Sequence, residues 1–296
     1  MKNNSKKSLF QLIASMALFG TIGLFRRAIP LSSGVIAMAR GYIGGAFLML
    51  FLLVTKKRPD WKAVRANLPL LCLSGAAIGF NWILLFEAYN YTSVAIATLC
   101  YYMAPIFLLF LSPVLLHEKL TRRKLICLLA ALLGMVFVSG VLETGISSTR
   151  ELRGILLGLG AALLYASVIL MNKKMSPISA YDKTAVQLLS AGIVMHLSCA
   201  VSGSLTGIAP DGKTLILLLI VCILHTGIGY TAYFGSMDGL SSQTLALFSY
   251  IDPVVAVLLS ALLLHEPMSL LSAAGAVLVL ASALISELPE RKKAQF

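Results

Sequence analysis

Ten stretches of this chain are long and apolar enough to cross a lipid bilayer, and little of the chain is left over. They run at about 9–27, 34–55, 68–89, 93–116, 122–141, 153–172, 183–204, 213–237, 241–264 and 268–286. Crossing ~30 Å of hydrocarbon takes about 20 mostly apolar residues in an α-helix. Lipid imposes the helix, because a backbone there must satisfy its own hydrogen bonds. The runs are also too long and too uniformly apolar for barrel strands. Charges and turn residues mark the breaks, among them Ser32-Ser33-Gly34, Lys56 to Asp60, Glu118 to Lys124, Lys173 to Asp182 and Pro210-Asp211-Gly212. These breaks leave no room for a soluble domain. The expected fold is an all-α polytopic membrane protein with ten transmembrane helices.

A net charge of +12 would suit a nucleic-acid binder, but the charges lie in short clusters between apolar runs, as membrane loops do. No nucleic-acid partner is expected. Cys72, Cys100, Cys127, Cys199 and Cys222 all sit inside apolar runs without CxxC or CxxH spacing, so they read as small apolar side chains rather than metal or redox ligands. Lys2 to Ser8 followed by an apolar run resembles a secretory leader. The lack of a small-x-small cleavage site, and Arg26-Arg27 closing the run, favour an uncleaved first helix.

Basic residues set the orientation. With the N-terminus in the cytoplasm, one side carries Lys2, Lys6, Lys7, Lys56, Lys57, Arg58, Lys62, Arg65, Lys119, Arg122, Arg123, Lys124, Lys173, Lys174, Lys183, Arg291, Lys292 and Lys293. The other carries only Arg26, Arg27, Arg150, Arg153 and Lys213. Both termini are therefore expected in the cytoplasm.

The chain is also duplicated. A shift of 148 residues, half of 296, sets Ser93 on Ser241, Tyr102 on Tyr250 and Pro105 on Pro253; it sets Leu115-Leu116-His117-Glu118 on Leu263-Leu264-His265-Glu266. Five helices per copy is an odd number, so the second copy (153–286) must insert upside down relative to the first (9–141). The loop KLTRRK has the duplicate PMSLLS, which has lost every basic residue, as that inversion requires. Inverted repeats suit transporters, whose related halves exchange inward and outward access around a midplane site.

Two five-helix copies, a proline in helices 4 and 9 and Leu-Leu-His-Glu closing both together resemble the EamA-type transporters of the drug/metabolite transporter superfamily. The likeness spans about residues 9–140 and 153–286. It implies ten helices, cytoplasmic termini and a central cavity lined mainly by helices 3, 4, 8 and 9. It also implies solutes such as amino acids and related metabolites, or sugars.

Ionisable groups inside a bilayer are costly and need a reason. Asp252 is the sharpest, near the middle of its span, where the twin position holds Ala104. Pro253 removes a backbone donor and frees the Ser249 carbonyl. A carboxylate beside a loosened backbone can bind a cationic group or a proton; the alternative is a structural Asp bonded to Ser or Tyr hydroxyls. Arg40, flanked by Gly41, Gly44 and Gly45, can hold a substrate carboxylate, pair with Glu87 as an ion pair or outer gate, or reach the interface. A structural or gating role is favoured for Arg40, and Glu87 can be merely interfacial. His225 is a candidate titrating group, or equally a neutral His bonded to a neighbouring helix, with Tyr233 near its face and Tyr230 well off it; His196 is expected to pack.

Asn81, Trp82, Tyr101, Tyr102, Tyr230, Tyr233 and Tyr250 form an aromatic and amide set. Trp82 and Tyr230 are repeat mates, as are Tyr102 and Tyr250, so the pairs are expected to line one cavity, where rings stack on a flat or amphipathic solute. Tyr89, Tyr91 and Trp61 fit the interfacial belt better. Gly41/Gly45, Gly75/Gly79 and Gly154/Gly158 suit close helix packing. His117-Glu118 and His265-Glu266 fall on opposite faces in the inverted topology, so they cannot share a metal, and no metal or cofactor is expected. No Walker A, GxSxG or HExxH motif is present.

The expected function is secondary transport of a small amphipathic metabolite, an amino acid or relative first, by alternating access across the inner membrane. Export or exchange is expected, with protons as the candidate coupling ion. A sensor or scaffold that keeps the fold without transport is the alternative, and an intramembrane enzyme is the weakest reading.

Overall fold

The computed structural model describes residues 2–92, 94–139, 149–205, 210–263 and 269–286. Every regular element among them is helical. In the first half these are α1 (Lys2–Gly20), α2 (Ile22–Ala28), α3 (Ser33–Val54), α4 (Trp61–Tyr91), α5 (Val94–Tyr101), α6 (Ala104–Leu116) and α7 (Arg122–Ser139). The second half holds α8 (Thr149–Lys174), α9 (Ala180–Val201), α10 (Gly212–Ile220), a π-helical stretch at Val221–Ile228, α11 (Gly229–Ser236), α12 (Ser242–Phe248), α13 (Ile251–Leu263) and α14 (Leu270–Ser286). Side chains start several of them: Ser32, Asp60, Ser179, Asp211 and Ser241 each accept a bond from a first-turn amide that would otherwise lack a partner.

Among the described residues, eight helical segments are long and apolar enough to cross a membrane. The expected ten are not reached on length and composition. α7 starts with Arg122, Arg123 and Lys124, and α14 has 17 residues, which leaves each short of a full apolar crossing. His265-Glu266 lies outside the described residues.

Two runs read as single helices are broken. α5 gives way to α6 at Tyr102-Met103, and α12 gives way to α13 at Ser249-Tyr250. The breaks sit just before Pro105 and Pro253, where the missing N–H and the ring's clash with the preceding turn end a regular ladder. Met103 and Tyr250 instead donate to carbonyls three residues back, Cys100 and Leu247.

The closest packing runs between α3 and α9, between α4 and both α8 and α9, and between α7 and α14. Small residues permit it. A Cβ on Gly41 of α3 would lie 2.5 Å from the Cα of Gly192 in α9, and one on Gly275 of α14 would lie 2.5 Å from the Gly134 carbonyl of α7. No side chain can be the flexible partner there, since backbone meets backbone. Gly41→Val is therefore expected to force α3 off α9 and to cost about 1–3 kcal/mol or more. Heating the detergent-purified variant and reading its monodisperse fraction by size-exclusion should show a lowered melting point; an unchanged one would refute this packing.

Candidate functional site

The two helix breaks face a cavity of about 220 Å³, the space of several water molecules. Asp252 enters it from the first turn of α13 and Ala104 from the first turn of α6. Repeat mates thus meet across one space, and only one of them carries a charge. Three further pairs 148 residues apart also line it: Trp82 with Tyr230, Leu85 with Tyr233, and Tyr101 with Ser249.

Rings dominate the wall. Trp82 and Tyr230 meet edge to face at 6.4 Å, Tyr101 and Tyr165 lie 5.6 Å apart, and the Tyr165 and Tyr233 rings stack at 6.4 Å with an interplanar angle of 10°. The Tyr165 hydroxyl donates to that of Tyr233 at 2.8 Å, tying α8 to α11. Phe19 of α1 closes the ring, 5.3 Å from Tyr230. Such surfaces present apolar faces and polar tips to the same solute.

Two ionisable side chains of opposite sign line this wall. Tyr102 is the side-chain hydrogen-bonding neighbour of the Asp252 carboxylate. Arg40 holds its guanidinium 4.6 Å from the centre of the Trp82 ring and donates from Nε to Thr226 Oγ1 at 3.0 Å. Thr226 belongs to the π-helical stretch and itself donates to the Val221 carbonyl five residues back; wide turns of this kind gather at functional sites. Among the described residues no ion pair joins Arg40 to Asp252 or to Glu87. Gly20 of α1 packs under the site, where a Cβ would lie 2.6 Å from the Asp252 carbonyl.

The other expected site residues stand elsewhere. Tyr250 is fully buried and donates to the Tyr102 carbonyl at 2.9 Å, so it braces the first break from behind the wall. Asn81 donates to the Ala161 carbonyl at 2.6 Å and clips α4 to α8. His225 is buried with Nε2 2.7 Å from Thr21 Oγ1 and its ring against Phe25; it does not line the cavity, whereas Tyr230 lines it beside Tyr233. Glu87 is exposed and accepts from Asn90 at 3.1 Å. His196 is exposed and lies edge-on to Tyr42. Tyr89, read as an interface residue, is half-buried beside Thr98.

The lining from α1, α3 and α4 comes from the half of each helix away from the basic loops. At the basic end a set of side chains bridges the helix ends. Glu118, just past α6, accepts from the Ser242 amide and hydroxyl at 2.9 Å each and pairs with Lys173 at 3.2 Å. Lys173 also donates to the Leu240 carbonyl, Gln243 to the Lys119 carbonyl at 2.8 Å, and Lys124 to Ser241 and Thr244 at 2.9 and 2.8 Å. Charge-assisted bonds of this kind are the strong ones, and together they fasten the start of α12 to the ends of α6 and α8.

The model of the EamA-like transporter family matches the chain twice, over residues 6–140 and 152–288. The chain belongs to the EamA-like transporter family. This places it in the drug/metabolite transporter superfamily. It is 27% identical over 289 residues to the uncharacterized transporter YxxF of Bacillus subtilis (strain 168), covering 97% of this chain and 91% of that one. It is also 26% identical over 226 residues to protein RarD of Salmonella typhi, covering 72% and 71%. A solved crystal structure superposes with a TM-score of 0.83 at 18% identity, over 95% of this chain and 96% of the other, a likeness of fold.

Proposed function

We propose that the protein is a secondary active carrier of small zwitterionic amphipathic metabolites, amino acids first, working by alternating access in the inner membrane with both termini cytoplasmic. The observation that carries this reading is the presence of Arg40 and Asp252, unpaired with each other, in one aromatic cavity. Two separated opposite charges in a low-dielectric space are costly. A ligand bearing a carboxylate at one end and an ammonium at the other satisfies both, the first bidentately on Arg40 and the second on Asp252. Its side chain then rests on the rings. The loaded site adds no net charge, and so avoids the ~2.3 kcal/mol per 100 mV that an extra charge would meet in crossing the membrane field.

In this reading the basic end is cytoplasmic, and the Glu118 cluster is the closed inner side of an outward-facing state. Export or exchange follows if Asp252 takes up a proton whenever the ammonium leaves, so that one carboxylate couples the two. Proteoliposomes containing the purified protein and loaded with labelled phenylalanine or leucine test the proposal. Flux should rise with an imposed proton gradient and fall when unlabelled amino acid competes, while phenethylamine and 3-phenylpropionate, each lacking one charge, should compete poorly. No flux under any gradient, or equal competition by the one-charge analogues, would overturn it.

A further inference from the structure

A second space of about 330 Å³ lies apart from the central cavity, between α1, α3, α9 and α11. Phe47, Leu48, Phe51, Ile228, Ala232 and Gly235 make its walls. Among its polar members, Gln11, Tyr181 and Thr231, the Thr231 hydroxyl is already spent on the Gly227 carbonyl at 2.7 Å. Ile228 on its rim is 47% exposed, and Leu50, Leu53 and Val54 of α3 are more exposed still, so this flank of α3 faces hydrocarbon. Ile228 to Gly235 is about 10 Å of helix at 1.5 Å per residue, the depth of most of one leaflet.

One end of the groove is positive. Phe51 stacks on Tyr181 at 5.3 Å, and the Lys57 ammonium sits 5.5 Å from the centre of the same Tyr181 ring. Lys7 is exposed and lies one turn before Gln11, which lines the groove. The first turn of the 22-residue α9, the positive end of its dipole, opens at Ala180 on the same mouth. Of the carboxylates nearby, Asp60 caps Ala63 at 3.0 Å, and Asp182, in the first turn of α9, is buried and accepts from the Asp60 amide through one of its two oxygens.

We propose that this groove is a site for an anionic phospholipid of the leaflet on the basic side, with one acyl chain lying against Phe47, Ala232 and Gly235 and the phosphate held by Lys57 and Lys7 at the α9 N-terminus. The mostly apolar walls suit an acyl chain better than water. A neutral lipid leaves the positive mouth unused. Basic pockets between helices at the cytoplasmic surface hold anionic headgroups for this reason.

Native mass spectrometry of the delipidated full-length protein, titrated with palmitoyl-oleoyl phosphatidylglycerol or phosphatidylcholine, tests it. One phosphatidylglycerol should be retained at concentrations where phosphatidylcholine is not. Lys57→Ala should weaken its retention about fivefold, Lys57→Arg should keep it, and Ala232→Phe, which fills the groove, should abolish it. Lys57 is exposed, so its variants fold whether or not the groove-filling one does. Equal retention of the two lipids would overturn the proposal, as would indifference to Lys57→Ala. Displacement of the lipid by glycerol 1-phosphate alone would do the same, because the chain would then contribute nothing. So would a dimer that Ala232→Phe dissociates, since the occupant would then be a second copy.

Discussion

Asp252→Asn should cut the affinity for a zwitterionic solute by roughly 30-fold to several thousand-fold. That range corresponds to the ~2–5 kcal/mol lost when one partner of a buried, hydrogen-bonded charge pair is neutralised. Asparagine keeps the shape and a hydrogen bond to Tyr102, so the fold should survive and the loss should be specific. Solute-induced stabilisation measures it directly, since a ligand that binds only the folded state raises the melting point. Asp252→Asn should abolish that rise for amino acids while leaving the solute-free melting point near the parent's. Because Ala104 and Asp252 line the same cavity, the exchange Ala104→Asp with Asp252→Ala should restore part of the rise. A full rise in Asp252→Asn, or a collapse of its solute-free stability alone, would assign the carboxylate a structural role instead.

Removing Glu118 should act at the other end of the molecule. Its carboxylate joins the start of α12 to Lys173 of α8, and each hydrogen bond to a charged group contributes about 1.5–3 kcal/mol. Glu118→Ala should therefore raise the population open at the basic end by about tenfold to a hundredfold. A cysteine placed at Leu240, buried in the parent, in a background without the five native cysteines, would report it through its labelling by a membrane-impermeant maleimide in inside-out vesicles. Labelling no faster than in the parent would show that the cluster holds loops together and is not a gate.

The repeat made some of the site legible before any coordinates. Asp252, Trp82, Tyr230 and Tyr102 were all marked by comparison of a residue with its mate, and all four line the cavity. The same comparison is blind where the copies differ. Tyr165 has Ala17 as its mate and Phe19 has Ser167, so the wall contributed by α8 and α1 left no signal. Asn81, Tyr250 and His225 carry suitable chemistry but turn away, to Ala161, to the Tyr102 backbone and to Thr21. Sequence spacing gives a face only for a regular helix, and the breaks before Pro105 and Pro253 and the π-helical stretch at Val221–Ile228 interrupt that regularity. Arg40 illustrates the same limit, because its bond to Thr226 reaches a π-helical stretch 186 residues along the chain.

Helix α1 touches three things at once. Gln11 borders the lipid-facing groove, Met16 and Phe19 border the central cavity, and Gly20 rests against the Asp252 backbone with no room for a methyl group. The helix is therefore shared by both spaces: a side chain in place of Gly20 would push α1 off the start of α13 and shift one wall of each together.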